Sequence, residues 1–414
     1  MQVLAAWSGW LLDGYTTIAY ALVGVTISSA FLPAGLGRLG LVVTFAGFAV
    51  EALARPIGSL IFGNYLGDRI GRRNMLATTV LGFSIFGGAK GLLPTYSEVG
   101  LLAPALLYAF LFIEGMFAGA EYGGGTTLAM ESVPPERRAF IGSFIQSGFG
   151  VGYFLIAAVF AVLGAAFGPE FQACGWRVLF LTLFIPGALA FLIRRAAYES
   201  PAFEGLLRRR AVEKTPLLSM LRESAGTVAV GLLITTGLLF VNTATLSFYP
   251  AFMELKKYPN DLVGTYVAVI NLASLAGVWI GGALSNAVGG RRRSMLLYGA
   301  VFTVAAGPLL YLASVGSAVQ LLIAFSIQAF LEAAIFSVLP SFLAESFSER
   351  YRATAVGFTY NGGAIVGSTA VSVILSLSGS MGLLPAWAVS IYASLIAMLM
   401  GVSLSRETWR PGKD

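Results

Sequence analysis

Glu131-Ser132-Val133-Pro134-Pro135-Glu136-Arg137-Arg138-Ala139 returns 214 residues later as Glu345-Ser346-Phe347-Ser348-Glu349-Arg350-Tyr351-Arg352-Ala353, with Glu-Ser and Arg-Ala in the same register. Each copy is a short polar break between two long apolar runs: 101–131 and 139–167 around the first, 318–346 and 353–378 around the second. A hydrocarbon core asks a helix for about 20 apolar residues, so all four runs are long enough to cross one. One break repeated at half the chain length predicts two halves of the same construction.

Reading outward from these breaks, further apolar runs lie near 7–31, 41–63, 74–94, 175–195, 224–253, 262–287, 295–314 and 383–404. The expected fold is therefore an all-α integral membrane protein of twelve transmembrane helices in two six-helix pseudo-repeats. Composition agrees. Charged residues make up 11% of the chain and hydrophobic ones 57%, with a mean hydropathy of +0.81. A soluble domain carries roughly 25% charged residues, so too little polar material is present for a water-facing surface. Small residues are plentiful, and Gly148, Gly150 and Gly152 suit close helix–helix approach. They follow no strand, so a nucleotide-binding loop is the poorer reading.

The basic residues set an orientation. Clusters at 69–73, 137–138, 194–222, 291–293, 350–352 and 406–413 hold 20 of the 26 lysines and arginines, and all fall on one side of the expected topology. Arg38, Lys256 and Lys257 stand on the other. The positive-inside rule then makes both termini cytoplasmic, and the even span count agrees. The net charge of +6 is thus a topology signal rather than a nucleic-acid footprint. The one long polar connection, 196–223, separates a first bundle at 1–195 from a second at 224–414. No cleavable signal peptide is expected, because the first apolar run is long and interrupted by Asp13.

With no histidine and one cysteine, Cys174, the chain lacks the usual metal ligands and any histidine relay. No metal and no cofactor are expected, and an intramembrane enzyme is hard to assemble. Proton chemistry falls to carboxylates.

Asp68-Arg69-Ile70-Gly71-Arg72-Arg73, between spans 2 and 3, resembles the signature loop of the major facilitator superfamily. It has a degraded echo at 284–291, offset by 218 residues, and Asn64 stands where the family usually has glycine. Ala54-Arg55-Pro56-Ile57-Gly58, Gly119-Ala120-Glu121-Tyr122-Gly123-Gly124, Glu199-Ser200-Pro201-Ala202-Phe203 and Tyr360-Asn361 are similar to elements of the metabolite:proton symporter family. Leu11-Leu12-Asp13-Gly14-Tyr15 also looks like the related sialate and monocarboxylate symporters. Thr16 and Leu111 replace an acid and an arginine common in those groups. The resemblance implies a secondary transporter with its substrate site between the halves. It makes Asp68, Arg69, Arg72 and Arg73 a conformational latch rather than a substrate site.

Charges inside a bilayer are functional candidates by default. The first half holds Asp13, Glu51, Arg55, Glu114 and Glu121, the second essentially Glu332. Arg55 lies about 21 Å above the basic loop at the helical rise. It reads either as a substrate clamp or as the structural partner of Glu51 at i−4. Asp13, Glu121 and, less directly, Glu114 are proton-coupling candidates, and a buried structural acid is the competing reading of each. Glu332 reads equally as a packing acid or a gate. Gln146, Asn242, Asn271, Gln328, Tyr360 and Asn361 are candidate substrate contacts. Tyr15 serves equally well as pocket wall or packing aromatic. Glu131 with Arg138, and Glu345 with Arg352, are expected in charge networks beside the basic loops.

These readings combine into an expectation: a monomeric carrier in the cell membrane, bound by lipid, that moves a small organic anion together with a proton. Protonation of an internal acid, pairing of the anion with Arg55 and rocking of the halves would make the cycle. A zwitterionic osmolyte, an amino acid or a sugar acid is the alternative cargo. Outside transport, a nutrient receptor on the same scaffold is the competing class.

Overall fold

The computed structural model describes residues 2–33, 35–59, 61–62, 72–196 and 216–410. All secondary structure among them is helical, as a lipid solvent requires of backbone groups that must find partners within their own segment. Among the described residues, eleven helices are long and apolar enough to cross a membrane, and a bent pair makes a twelfth span.

In chain order, α1 is that pair, Gln2–Leu22 and Gly24–Phe31, meeting at 61°. Then come α2 (Arg38–Gly58), α3 (Met75–Leu92), α4 (Leu102–Glu131), α5 (Arg138–Phe167) and α6 (Gly175–Ala196). The second series is α7 (Leu217–Leu255), α8 (Asn260–Val288), α9 (Arg291–Val315), α10 (Ala318–Ser346), α11 (Arg352–Met381) and α12 (Leu383–Leu404). The surface is apolar, with Val304 78% and Ile185 73% exposed, which suits a lipid-facing exterior.

At the level of the helices the structure adds detail to the sequence reading. The expected polar connection 196–223 is already helical from Pro216, and the α7 chain kinks at Ser224 (φ −133°, ψ 26°). Several spans are discontinuous. α7 loosens into one π-turn at Thr243–Ser247, and α10 re-starts at Leu339 with Pro340 in its first turn. Arg177 belongs with Arg38 and Lys256, away from the basic loops. Its guanidinium donates to the Gly91 and Leu93 carbonyls, at 3.0 and 2.6 Å. Nearby, the Thr95 amide and hydroxyl donate to Glu98 and hold its carboxyl below the usual range.

Within each series α1 packs on α5, α2 on α4, α7 on α11 and α8 on α10. The two series meet along α5–α8 and where α11 crosses α2 and α4. Small residues bring these axes together. A Cβ on Gly152 would lie 2.0 Å from the Leu11 carbonyl, and one on Gly123 would lie 2.6 Å from that of Ala353. The basic loops converge on one face. Arg352 reaches Glu131 at 3.1 Å, Arg291 donates to the Pro135 carbonyl at 2.9 Å, and Asn286 donates to that of Glu136 at 2.7 Å. At the opposite face a cavity of about 750 Å³ opens between α1, α2, the end of α7 and the α11–α12 turn.

The glycine contacts carry a direct test. Gly152→Ala must push α1 off α5, and overpacking of this kind costs about 1–3 kcal/mol. Gly226→Ala meets nothing within 4 Å and should be neutral or stabilise by up to about 1 kcal/mol. Thermal unfolding of the two variants in detergent should separate them in that order.

Candidate functional site

α1 and α2 bring together charges 42 residues apart. One nitrogen of Arg55, Nη2, donates to Asp13 Oδ1 at 2.7 Å and to Glu51 Oε1 at 2.8 Å. The Glu51 contact is the helical i,i+4 pair, whereas the Asp13 contact comes from the neighbouring helix. Nη1 and Nε of Arg55 have no protein partner among the described residues, and the side chain is 11% exposed. That exposure is to a cavity of about 80 Å³ between the halves. The first half lines it with Asp13, Glu51, Arg55, Phe48 and Phe149, and the second with Asn242, Thr243, Ser247, Tyr360 and Ser368. With all three charged groups ionised, the cavity holds one net negative charge.

An aromatic cluster borders this space. Tyr122 and Tyr360 stack at 3.6 Å between centroids, and the Trp10 ring meets their edges at 5.0 and 5.7 Å. The three rings come from α1, α4 and α11, so no single helix advertises the cluster in its sequence.

The remaining candidates are distributed elsewhere. Glu114 is fully buried against the Lys90 ammonium at 2.6 Å, and that ammonium also faces the Tyr20 and Phe180 rings. Glu121 accepts from Thr79 Oγ1 at 2.9 Å and from Arg194, which is 3% exposed. Arg194, which the sequence places with the loop cations, is therefore an interior residue of α6. Lys90 lies inside the apolar run 74–94, and its charge in such a run is a signal that passes unused in the sequence reading.

Three amides tie helices together. Asn361 donates to the Gly119 carbonyl at 3.1 Å, Asn271 donates to that of Gly150, and Gln328 joins Tyr249 to Ala306 with bonds of 2.9 Å. Gln146 is buried on α5. Tyr15 exchanges a 2.8 Å hydrogen bond with Thr182 on α6. Among the described asparagines only Asn242 lines the cavity, and it also donates to Glu332 at 2.9 Å.

At the basic face the charges pair differently from their order in the repeat. Glu131 takes Arg352 from the other half. Glu345 takes Arg291 at 3.4 Å and Thr408 at 2.8 Å. Arg138 donates to the Met130 carbonyl at 3.1 Å. Asp68 and Arg69 lie outside the described residues, as do the side chains of Arg72 and Arg73.

The family model for the Major Facilitator Superfamily matches residues 10–371. The chain is 31% identical to the inner membrane metabolite transport protein YhjE of Escherichia coli K12, over 98% of this chain and 94% of that protein. It is 26% identical to the proline/betaine transporter of Salmonella typhimurium, over 99% of this chain and 84% of the other. The shikimate transporter of Escherichia coli K12 is 34% identical over 51% of this chain and 48% of its own. Among solved structures, the xylose transporter XylE from E. coli, partially occluded and inward open, superposes with a TM-score of 0.77 at 19% identity. That match covers 100% of this chain and 98% of XylE.

The Lys90–Glu114 pair invites a test. Lys90→Met leaves a buried carboxylate without its cation and should cost about 3–5 kcal/mol. Lys90→Met combined with Glu114→Leu should regain most of that loss, as read by thermal unfolding in detergent. Equal stability of the single variant and the parent would contradict this account of the pair.

Proposed function

Since the chain belongs to the major facilitator superfamily, and is a multi-span membrane transporter rather than an enzyme, we propose that it carries a small organic anion together with a proton. The observation that carries this reading is the half-used guanidinium of Arg55. Two carboxylates share one of its nitrogens, while Nη1 and Nε keep their donors for a ligand at the cavity. A guanidinium offers a planar fork that matches a carboxylate.

Charge decides the coupling. At about 4 Å and an effective dielectric of about 20, one like-charge contact costs about 4 kcal/mol. That is on the order of a thousandfold in affinity. An anion entering beside ionised Asp13 and Glu51 meets such contacts. Protonation of Asp13 removes one, loosens its hold on Arg55 and keeps the loaded cavity at the charge of the empty one. Glu114 and Glu121 do not line the cavity, whereas Asp13 and Glu51 do; Glu51 holds Arg55 within its own helix, and the acid that reaches it from α1, Asp13, is assigned the coupling role.

Loading then favours closure, because the cavity wall is completed by both halves and a ligand shifts an equilibrium only through differential affinity. The working unit is one chain, since each chain carries both walls. Residues 1–195 and 224–414 move as the two bodies, joined by the connection at 196–223. Both termini face the cytoplasm on the strength of the basic face. Asp68, Arg69, Arg72 and Arg73 act as the latch, and Glu131 with Arg352 is a contact between the halves at the basic face.

A second cargo is favoured by a specific observation. The cavity holds two acids and one base beside Phe48, Phe149 and Tyr360, a setting that also welcomes the cationic end of a zwitterion. The proline/betaine transporter relative supports that reading.

A thermal-stabilisation panel of shikimate, proline, glycine betaine and simple monocarboxylates on purified protein should identify the class. With the stabilising compound in proteoliposomes, Asp13→Asn should retain exchange across equal concentrations and lose accumulation driven by a pH gradient. Full gradient-driven accumulation by this variant would remove Asp13 from the mechanism.

A further inference from the structure

Among the described residues, each interior acid of the first-half spans sits on a cation: Asp13 and Glu51 on Arg55, Glu114 on Lys90, and Glu121 on Arg194. Glu332 of α10 breaks this pattern. It is 1% exposed, and its Oε1 accepts one hydrogen bond, from Asn242 Nδ2 at 2.9 Å. Its Oε2 has no partner among the described residues.

The groups around the carboxyl are neutral ones. Tyr249 of α7, Tyr153 of α5 and Tyr360 of α11 are the titratable side chains whose electrostatics include Glu332. Tyr153 and Tyr249 already donate elsewhere, to the Leu246 carbonyl and to Gln328. From α8 and α9, which also pack on α10, no charged side chain among the described residues acts on it. A carboxylate in hydrocarbon without a countercharge is strongly disfavoured, and a packing role would be served as well by an apolar residue.

Position gives the carboxyl its use. Asn242, its single partner, lines the cavity and immediately precedes the π-turn at Thr243–Ser247. The acid is thus one side chain away from the ligand space, at the point where α7 departs from regular helix.

We propose that Glu332 is a second proton-binding site, in the half opposite Asp13, read by the cavity through Asn242. Proton uptake converts the carboxylate to a carboxyl whose carbonyl still accepts from Asn242, while the new O–H lies on the orphaned oxygen. Proton loss leaves an ion held by one amide, which draws Asn242 away from the cavity. This site is independent of the cargo and of the role given to Asp13.

Infrared pH titration of the protein in liposomes, without any ligand, tests it. The expected spectrum contains a protonated-carboxyl stretch that disappears as pH rises and is lost in Glu332→Gln. The same band should persist in Asp13→Asn and shift in frequency in Asn242→Ala, which leaves Glu332 itself in place. A Glu332→Gln spectrum identical to that of the parent would overturn the proposal. So would a Glu332 band that stays constant from acid to alkaline pH, since that marks a permanently protonated packing acid. Should Glu332→Gln fail to fold, the Asn242→Ala shift in the titrating band decides alone, and its absence counts against the site.

Discussion

The Arg55 guanidinium is the interaction on which the rest of this molecule depends. A charge that cannot be neutralised by deprotonation must be paired when it leaves water. α2 supplies Glu51 one turn away, and α1 supplies Asp13 from across the helix interface. For Asp13 to reach it, α1 and α2 must be held in register, and the small residues of α1, α4 and α5 allow that approach. The same pairing leaves the guanidinium incomplete on the cavity side. Structure and the proposed function thus compete for one side chain, and in the proposed cycle a proton and an anion share that site.

The surroundings of that site divide into fixed and changeable parts. α5 lies against α8 through close glycine contacts and the Asn271 bond to Gly150, giving the two halves a long common seam. The second contact between the halves, where α11 crosses α2 and α4, mixes the Tyr122–Tyr360 stack with polar links such as Glu131 with Arg352 and Ser372 with the Val42 carbonyl at 2.9 Å. Breaks in α1, α7 and α11 sit at the cavity or along the path to the opposite face, where discontinuous helices serve ligand sites in transporters. The aromatic stack of Trp10, Tyr122 and Tyr360 closes the space beside Arg55 with residues from both halves.

Much of the architecture is legible in the sequence because lipid imposes a length on every span. The repeated Glu-Ser and Arg-Ala breaks locate loops that do meet at one face. Glu51 and Arg55 are readable as a pair because their spacing is local. Asp13 on Arg55 is not, since two helices must be placed before it exists. Lys90 and Arg194 are hidden for a related reason. Both stand near the ends of apolar runs, where a cation normally belongs to water, and only their acids on α4 draw them inside. The asparagines divide in the same way. Asn242 faces the cavity, whereas Asn271 and Asn361 spend their donors on carbonyls of neighbouring helices, a distinction that requires knowing which helix lies opposite. The aromatic cluster is similarly invisible, being drawn from three separate spans.

The central claim is that an anion pairs with the open side of Arg55 only as Asp13 takes up one proton. Proton uptake on binding is its most direct measure, obtained by calorimetric titration of the stabilising ligand in buffers of different ionisation enthalpy. The account predicts an observed heat that varies with the buffer and corresponds to uptake of about one proton near neutral pH. By linkage, the affinity then falls as pH rises. A heat independent of the buffer, with affinity unchanged across that range, would contradict it.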